Sequence, residues 1–167
     1  MIPDDAFLRR IPANLDRTQT VYLEALVFSA DTVRVSFNTI KNITGRFGKE
    51  ICSAPSHARL ELFIHAWTII DRVHVVRELL LALDYATPKA VSFRETYEVA
   101  TKLRNLMDHL KGNARNIADA KHRPPLFGAL CYVFISNDNV EMKDRKLTVN
   151  GGHTIMVSAG HFQGVKR

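Results

Sequence analysis

Two cysteines, eight glycines, six prolines and one tryptophan among 167 residues leave little room for several classes of protein. Cys52 and Cys131 make neither a paired-cysteine zinc motif nor a disulfide framework, and Cys131, within an apolar run, reads as a small core residue. So little Gly and Pro excludes collagen-like and low-complexity chains, and 46% hydrophobic against 24% charged residues excludes a chain too polar to fold. No Gly-rich phosphate loop follows a predicted strand, and no repeat recurs at solenoid spacing, which turns the reading away from nucleotide-fold enzymes. The longest apolar runs, Leu79–Leu83 and Ala129–Ile135, fall far short of the roughly 18–20 residues that span a bilayer, so no membrane partner is expected. The opening Met1-Ile2-Pro3-Asp4-Asp5 is acidic where a signal peptide is basic and then apolar, and the expected location is the cytoplasm.

Basic charge is in surplus. Twenty-three Lys and Arg against 17 Asp and Glu give a formal charge of +6, which draws polyanions and speeds their encounter. The surplus is spread from Arg9, Arg10 and Arg17 through Lys111, Lys121 and Arg123 to Lys166 and Arg167. It permits nucleic acid as a partner without marking a binding stripe.

Hydrophobic period divides the chain. From about Leu15 to Ile43, Gly and Pro are missing and Val21, Leu26, Val33, Phe37 and Ile40 fall mostly on one helical face. Gly45 and Gly48 punctuate this helix. Cys52-Ser53-Ala54-Pro55-Ser56 restarts the chain into a second helix reaching about Ala86, whose stripe Leu62, Ala66, Ile69, Val73, Val76, Leu80 and Leu83 steps by fours and threes. Thr87-Pro88-Lys89 reads as its end, and Ser92-Phe93-Arg94-Glu95 as a capping box opening a third helix to about Lys111, with Val99, Leu103, Leu106 and Leu110 inward. A short fourth segment over Ala114–Ala120 precedes the extended exit at His122-Arg123-Pro124-Pro125. Beyond it the period falls to two, and Asn137-Asp138-Asn139 and Asn150-Gly151-Gly152 mark turns between strands. The expected fold is mainly α, an up-down helical bundle over residues 1–123, with a small C-terminal antiparallel β meander over 124–167, α+β overall.

One stretch carries candidate chemistry. In Arg104-Asn105-Leu106-Met107-Asp108-His109, about 100° per residue puts the leucines on one side. Arg104, Asp108, Asn105 and His109 then occupy the opposite arc of roughly 140°. Arg104 with Asp108, and Asn105 with His109, are i, i+4 neighbours. An imidazole of pKa near roughly 6.5 exchanges protons near neutrality, so His109 suits general acid or base work on a ribose hydroxyl. The planar fork of Arg104 matches two phosphoryl oxygens and stabilises charge gathering there. Neither role needs a metal, and no cofactor is expected. Asn105 orients the histidine or a phosphate oxygen, and Asp108 holds Arg104. On helix two, Trp67, Asp71, His74 and Glu78 share one line opposite the main stripe. Asp71 and His74 either support the Arg104–His109 face or form a structural pair. Trp67 reads as a bundle anchor, and His65 points away from Asp71 and His74, against a metal site there.

Arginine, a polar residue, three further positions and histidine near the end of a long bundle helix resembles the motif of HEPN domains (higher eukaryote and prokaryote nucleotide-binding). The resemblance covers the helices from about Leu15 to Ala120 and implies a metal-independent endoribonuclease in which Arg104, Asn105 and His109 are the motif residues. It further implies a homodimer whose two motifs face one cleft, RNA as substrate, and a role as a toxin, with an antitoxin partner, or in defence. Two rivals use the same residues differently: a non-catalytic module binding RNA, a nucleotide or a protein, and a structural or regulatory dimer whose polar face is only wetted.

Overall fold

The computed structural model describes residues 5–6, 9–109, 112, 115, 128–134, 140–143, 146–149 and 153–158. The chain is mainly helical. Helix α1 spans Arg17–Phe47 and α2 spans Ser56–Ala82, joined by a 3-10 turn over Gly48–Ser53; α3 (Pro88–Thr96) and α4 (Glu98–Asp108) follow. Among the described residues no helix is long and apolar enough to cross a membrane.

Helix α1 begins at a full capping box. The Asp16 carboxylate accepts from Gln19 N–H at 2.7 Å, and the Gln19 side chain accepts from Asp16 N–H at 3.2 Å, so two donors that no helical turn satisfies are paired. The helix runs through Gly45 and stops at Gly48, whose φ of 54° suits a residue without Cβ. Helix α2 ends at Ala82, short of the expected Ala86. There Asp84 takes φ 49°, and the N–H groups of Tyr85 and Asp84 turn back to the carbonyls of Leu80 and Leu81, the Schellman pattern that consumes orphan acceptors.

The third expected helix is different in two respects. It starts at Pro88, not Ser92: the Thr87 hydroxyl accepts from Ala90 N–H at 3.3 Å, and Pro88 sits in the first turn, where its fixed φ fits and its missing N–H costs nothing. The Thr-Pro pair read as a stop is therefore a start. It also breaks at Tyr97 (φ −104°, ψ 20°), within the β-branched and aromatic sequence Thr96-Tyr97 of low helix propensity. The expected fourth segment lies outside the described residues apart from Arg115.

The core is small and sits at the α1–α2 turn. Ile43, Ile51, Ala54, Ala58, Leu62 and Phe63 are buried together, and Ile40, Phe47, Trp67 and Leu130 pack against them. From that turn the two helices run back antiparallel, with His65 Nδ1 3.3 Å from Ser36 Oγ. The residues of α1 that are buried are Ser29, Ser36 and Ile43, seven apart, so α1 meets α2 along a seam that includes two small side chains. The expected apolar face is corrected accordingly: Val21 and Phe37, placed on it by spacing, are each 58% exposed. Val99, expected in the third helix's core stripe, is exposed as well.

Ser29 is 1% exposed, and its hydroxyl has no hydrogen-bond partner. An unpaired buried hydroxyl costs about 1–3 kcal/mol, and alanine is the better helix former. Ser29→Ala is expected to raise stability by about 1 kcal/mol in urea unfolding.

Ahead of α1 the N-terminal segment is clamped to its middle. Arg9 spans both Asp31 oxygens at 2.9 Å. That hydrogen bond lowers the Asp31 carboxyl below its usual range against the opposing effect of desolvation, with the Arg9 and Arg34 charges adding to the depression. A carboxylate depressed in the folded state adds stability above its unfolded pKa and loses it as pH falls through the folded value. The melting-temperature gap between wild type and Asp31→Asn should therefore be full at neutrality and close on acidification below the carboxylate range.

Beyond α4 the described residues include four short extended segments, Ala129–Phe134, Val140–Lys143, Lys146–Val149 and His153–Ser158 (β1–β4). β1 pairs antiparallel with β4 and β2 with β3, a nested order instead of a consecutive one. The turns expected at 137–139 and 150–152 lie outside the described residues.

Candidate functional site

Helix α4 lies against the second half of α2, and the polar side chains between them fall into two levels. At the first, Thr101 Oγ1 is 3.0 Å from His74 Nδ1 and accepts from an Nη of Arg77. The threonine hydroxyl thus bridges the guanidinium and the imidazole, accepting from Arg77 and hydrogen-bonded to His74. His74 Nδ1 also lies 3.9 Å from Glu78. Arg77 Nε donates to the Arg94 carbonyl at 2.9 Å, an acceptor in the last turn of α3, so one side chain ties α2 to both helices across the break at Tyr97.

About one turn further along α4, Arg104 takes two carboxylates. Its Nη1 is 2.9 Å from Asp108 and its Nε 3.5 Å from Asp71 on α2, and Asp71 is also paired with Arg72. The run Arg72–Asp71–Arg104–Asp108 alternates in sign and sums to zero. Its side chains are 29–48% exposed, so solvent screens each pair to about 1 kcal/mol or less. The run fixes where the guanidinium sits more than it stabilises the fold.

Asn105 and His109 are both exposed. His109 follows the last residue of α4, and its main-chain N–H closes onto the Asn105 carbonyl at 3.1 Å. On an ideal helix, five positions separate His109 from Arg104 by about 140° and 7.5 Å of rise. One chain thus brings Arg104, Asp108 and Asp71 together, sets His74 one level away, and leaves the imidazole of His109 in solvent. His65 turns to Ser36 on α1 while His74 turns to α4, so these histidines and Asp71 do not converge. Among the described residues no three His, Cys, Asp or Glu side chains gather at metal-binding distance.

Arg72, Arg77 and Thr101 belong to this seam and were not singled out from sequence. Thr101 stands three positions before Arg104 and seven before Asp108, a helical-face spacing that was visible. Arg72 and Arg77 carried no such signal, because their roles depend on which side of α2 receives α4. No family model matches the chain, and no curated protein or solved structure is similar enough to it to count as a relative.

Proposed function

We propose that this chain is a HEPN-like, metal-independent endoribonuclease that acts in the cytoplasm as a toxin or defence factor. The 2′-hydroxyl of RNA attacks the adjacent phosphorus as His109 removes its proton. Arg104 stabilises the charge gathering on the phosphoryl oxygens, and the 5′-oxygen departs with the proton that the His109 imidazolium returns, leaving a 2′,3′-cyclic phosphate. Asn105 orients the imidazole or a phosphoryl oxygen. Asp108 and Asp71 hold the guanidinium, and His74 holds α4 through Thr101. The observation that carries this reading is the pairing of Arg104 with carboxylates from two helices, next to an exposed imidazole at the helix end. The 140° between the two groups calls for a homodimer in which the arginine of one chain meets the histidine of its twin. Residues 1–123 form the up-down bundle in this proposal, residues 124–167 an antiparallel β appendage, and an antitoxin is the further partner.

The same ion pairs favour a second reading. A phosphate must displace Asp71 or Asp108 to reach Arg104, and a face neutralised in this way suits a non-catalytic module for RNA, a nucleotide or a protein, or a regulatory dimer. Purified protein incubated with RNA in excess chelator separates these readings. Cleavage that ends in cyclic phosphate and is lost in both Arg104→Ala and His109→Ala supports the nuclease. Unchanged RNA in the wild-type reaction refutes it, and retained RNA binding then leaves the binding module.

A further inference from the structure

Among the exposed apolar side chains, three on α1 form a line. Val21, Phe28 and Val35 are 58%, 63% and 55% exposed, and intervals of seven residues, about 20° short of two turns, hold them on one stripe. Phe28 and Val35 each stand one position before a buried serine of the α1–α2 seam, so the stripe lies about 100° round the helix from α2. Two threonines interleave with it, and neither brings an unpaired polar atom. Thr32 Oγ1 donates to the Phe28 carbonyl at 2.8 Å and Thr39 Oγ1 to the Val35 carbonyl at 3.0 Å. Single apolar side chains at a surface are ordinary, whereas a continuous line of them marks a contact face. This face is not the one that carries Arg104. His65 meets Ser36 of α1 and His74 meets Thr101 of α4, and nine positions along α2 separate these histidines by about 180°, so α1 and α4 lie on opposite sides of α2.

Charge along the border of the stripe away from α2 identifies what covers it. Glu24 is exposed there and pairs with no cation among the described residues. On the same border Arg9 and Arg34 both act on Asp31, two positive charges against one negative, and Arg34 has a buried Nη1 without a hydrogen-bond partner. We infer that a second copy of this chain covers the stripe, α1 against α1 and antiparallel, with the two-fold axis at Phe28. Phe28 then meets Phe28 of the partner subunit, and Val21 meets the partner's Val35, since 21 and 35 are equidistant from 28. An axis perpendicular to both helices keeps each border on its own side. Glu24, four residues from the axis, therefore comes level with a point between the partner's Asp31 and the partner's Arg34, three and six residues from it. The unpaired carboxylate of each chain falls beside the surplus guanidinium of the other, and the match occurs twice. A parallel pair would set the two borders on opposite sides and lose it. This contact is additional to the one that the nuclease reading asks of α4, and it does not depend on that reading.

Sedimentation velocity of the full chain across a concentration series tests the contact, because losing it removes one association step whichever contacts α4 makes. Wild type should associate. Phe28→Glu, which sets two carboxylates together on the axis, should weaken that step at least roughly 30-fold, the scale of losing a central aromatic anchor. Glu24→Lys should weaken it several-fold at low salt and less at high salt. Val21→Glu and Val35→Lys should each weaken it, and the double variant should recover most of the loss, because each new carboxylate meets a new ammonium only in the antiparallel register. A wild type that stays monomeric up to its solubility limit overturns the proposal. So does an association that Phe28→Glu and Glu24→Lys leave unchanged, which would put the contact on another face. Weakening in both single variants with no recovery in the double refutes the antiparallel pairing. Should Phe28→Glu lose its helical circular dichroism, Glu24→Lys, at an exposed side chain that makes no bond, decides in the same way. RNA cleavage by the same preparations reports on the nuclease separately, so either reading can fail alone.

Discussion

Leu62→Ala is expected to lower the unfolding free energy by about 2–5 kcal/mol. Leu62 is 0% exposed and belongs to the cluster formed by Ile43, Ile51, Ala54, Ala58 and Phe63. Its removal forfeits the transfer of an isobutyl group from water and leaves a cavity the neighbours only partly fill. Two features push the cost upward. Ala54 and Ala58 have no spare length with which to reach inward, and the cluster is the only group of buried apolar side chains found together among the described residues. Against a total of about 5–15 kcal/mol for an ordinary domain, the loss threatens folding itself. Urea unfolding followed by circular dichroism measures it, and a change below about 1 kcal/mol would mean that Leu62 is not at the centre of the packing.

His109→Ala is expected to cut RNA cleavage by roughly 10²- to 10⁴-fold, the usual contribution of a positioned general acid or base, with little change in melting temperature. The two halves of that expectation have separate origins. The loss follows from the proposed proton transfer. The unchanged stability follows from exposure: His109 lies past the end of α4, and the hydrogen bond it makes is a main-chain one to Asn105 that alanine preserves. Arg104→Ala differs, because it leaves Asp108 without its 2.9 Å partner and Asp71 with Arg72 alone. A small stability change accompanies its loss of turnover. Rates for both variants, measured in chelator beside circular dichroism, check the pair. Wild-type turnover in His109→Ala would remove the imidazole from the chemistry whatever happened to Arg104.

The long helices were legible in the sequence because their signals are local. The stretch from Leu15 to Ile43 without Gly or Pro lies almost wholly in α1, and the four-three stripe runs through the long helix α2, where Leu62 is its buried member. The buried face of α1 departs from its apolar spacing because the seam is marked by Ser29, Ser36 and Ile43, where closeness of approach outweighs side-chain size. Thr87-Pro88 was ambiguous in principle, since a Pro that ends one helix is equally suited to the first turn of the next. At the candidate site, the Arg104–Asp108 pair follows from i, i+4 spacing alone. The contact of Arg104 with Asp71, and the sharing of Thr101 by His74 and Arg77, required knowing which side of α2 receives α4, a tertiary fact that no periodicity contains. The break at Tyr97 was hidden for the same reason, as the Arg94 carbonyl there is satisfied from another helix.

The core's location at one end of the α1–α2 hairpin has a dynamic corollary. Main-chain amides around Ile43 and Leu62 should exchange with deuterium only through global opening. Protection should decline toward Val21 and Leu81, and reach its low point in α3 and α4, which are fastened by polar contacts and whose buried apolar residues, among those described, are the small Ala90 and Ala100. A strand of RNA seated along that seam would slow exchange most where the free protein opens most readily, and amide protection of α4 would then serve as a gauge of occupancy.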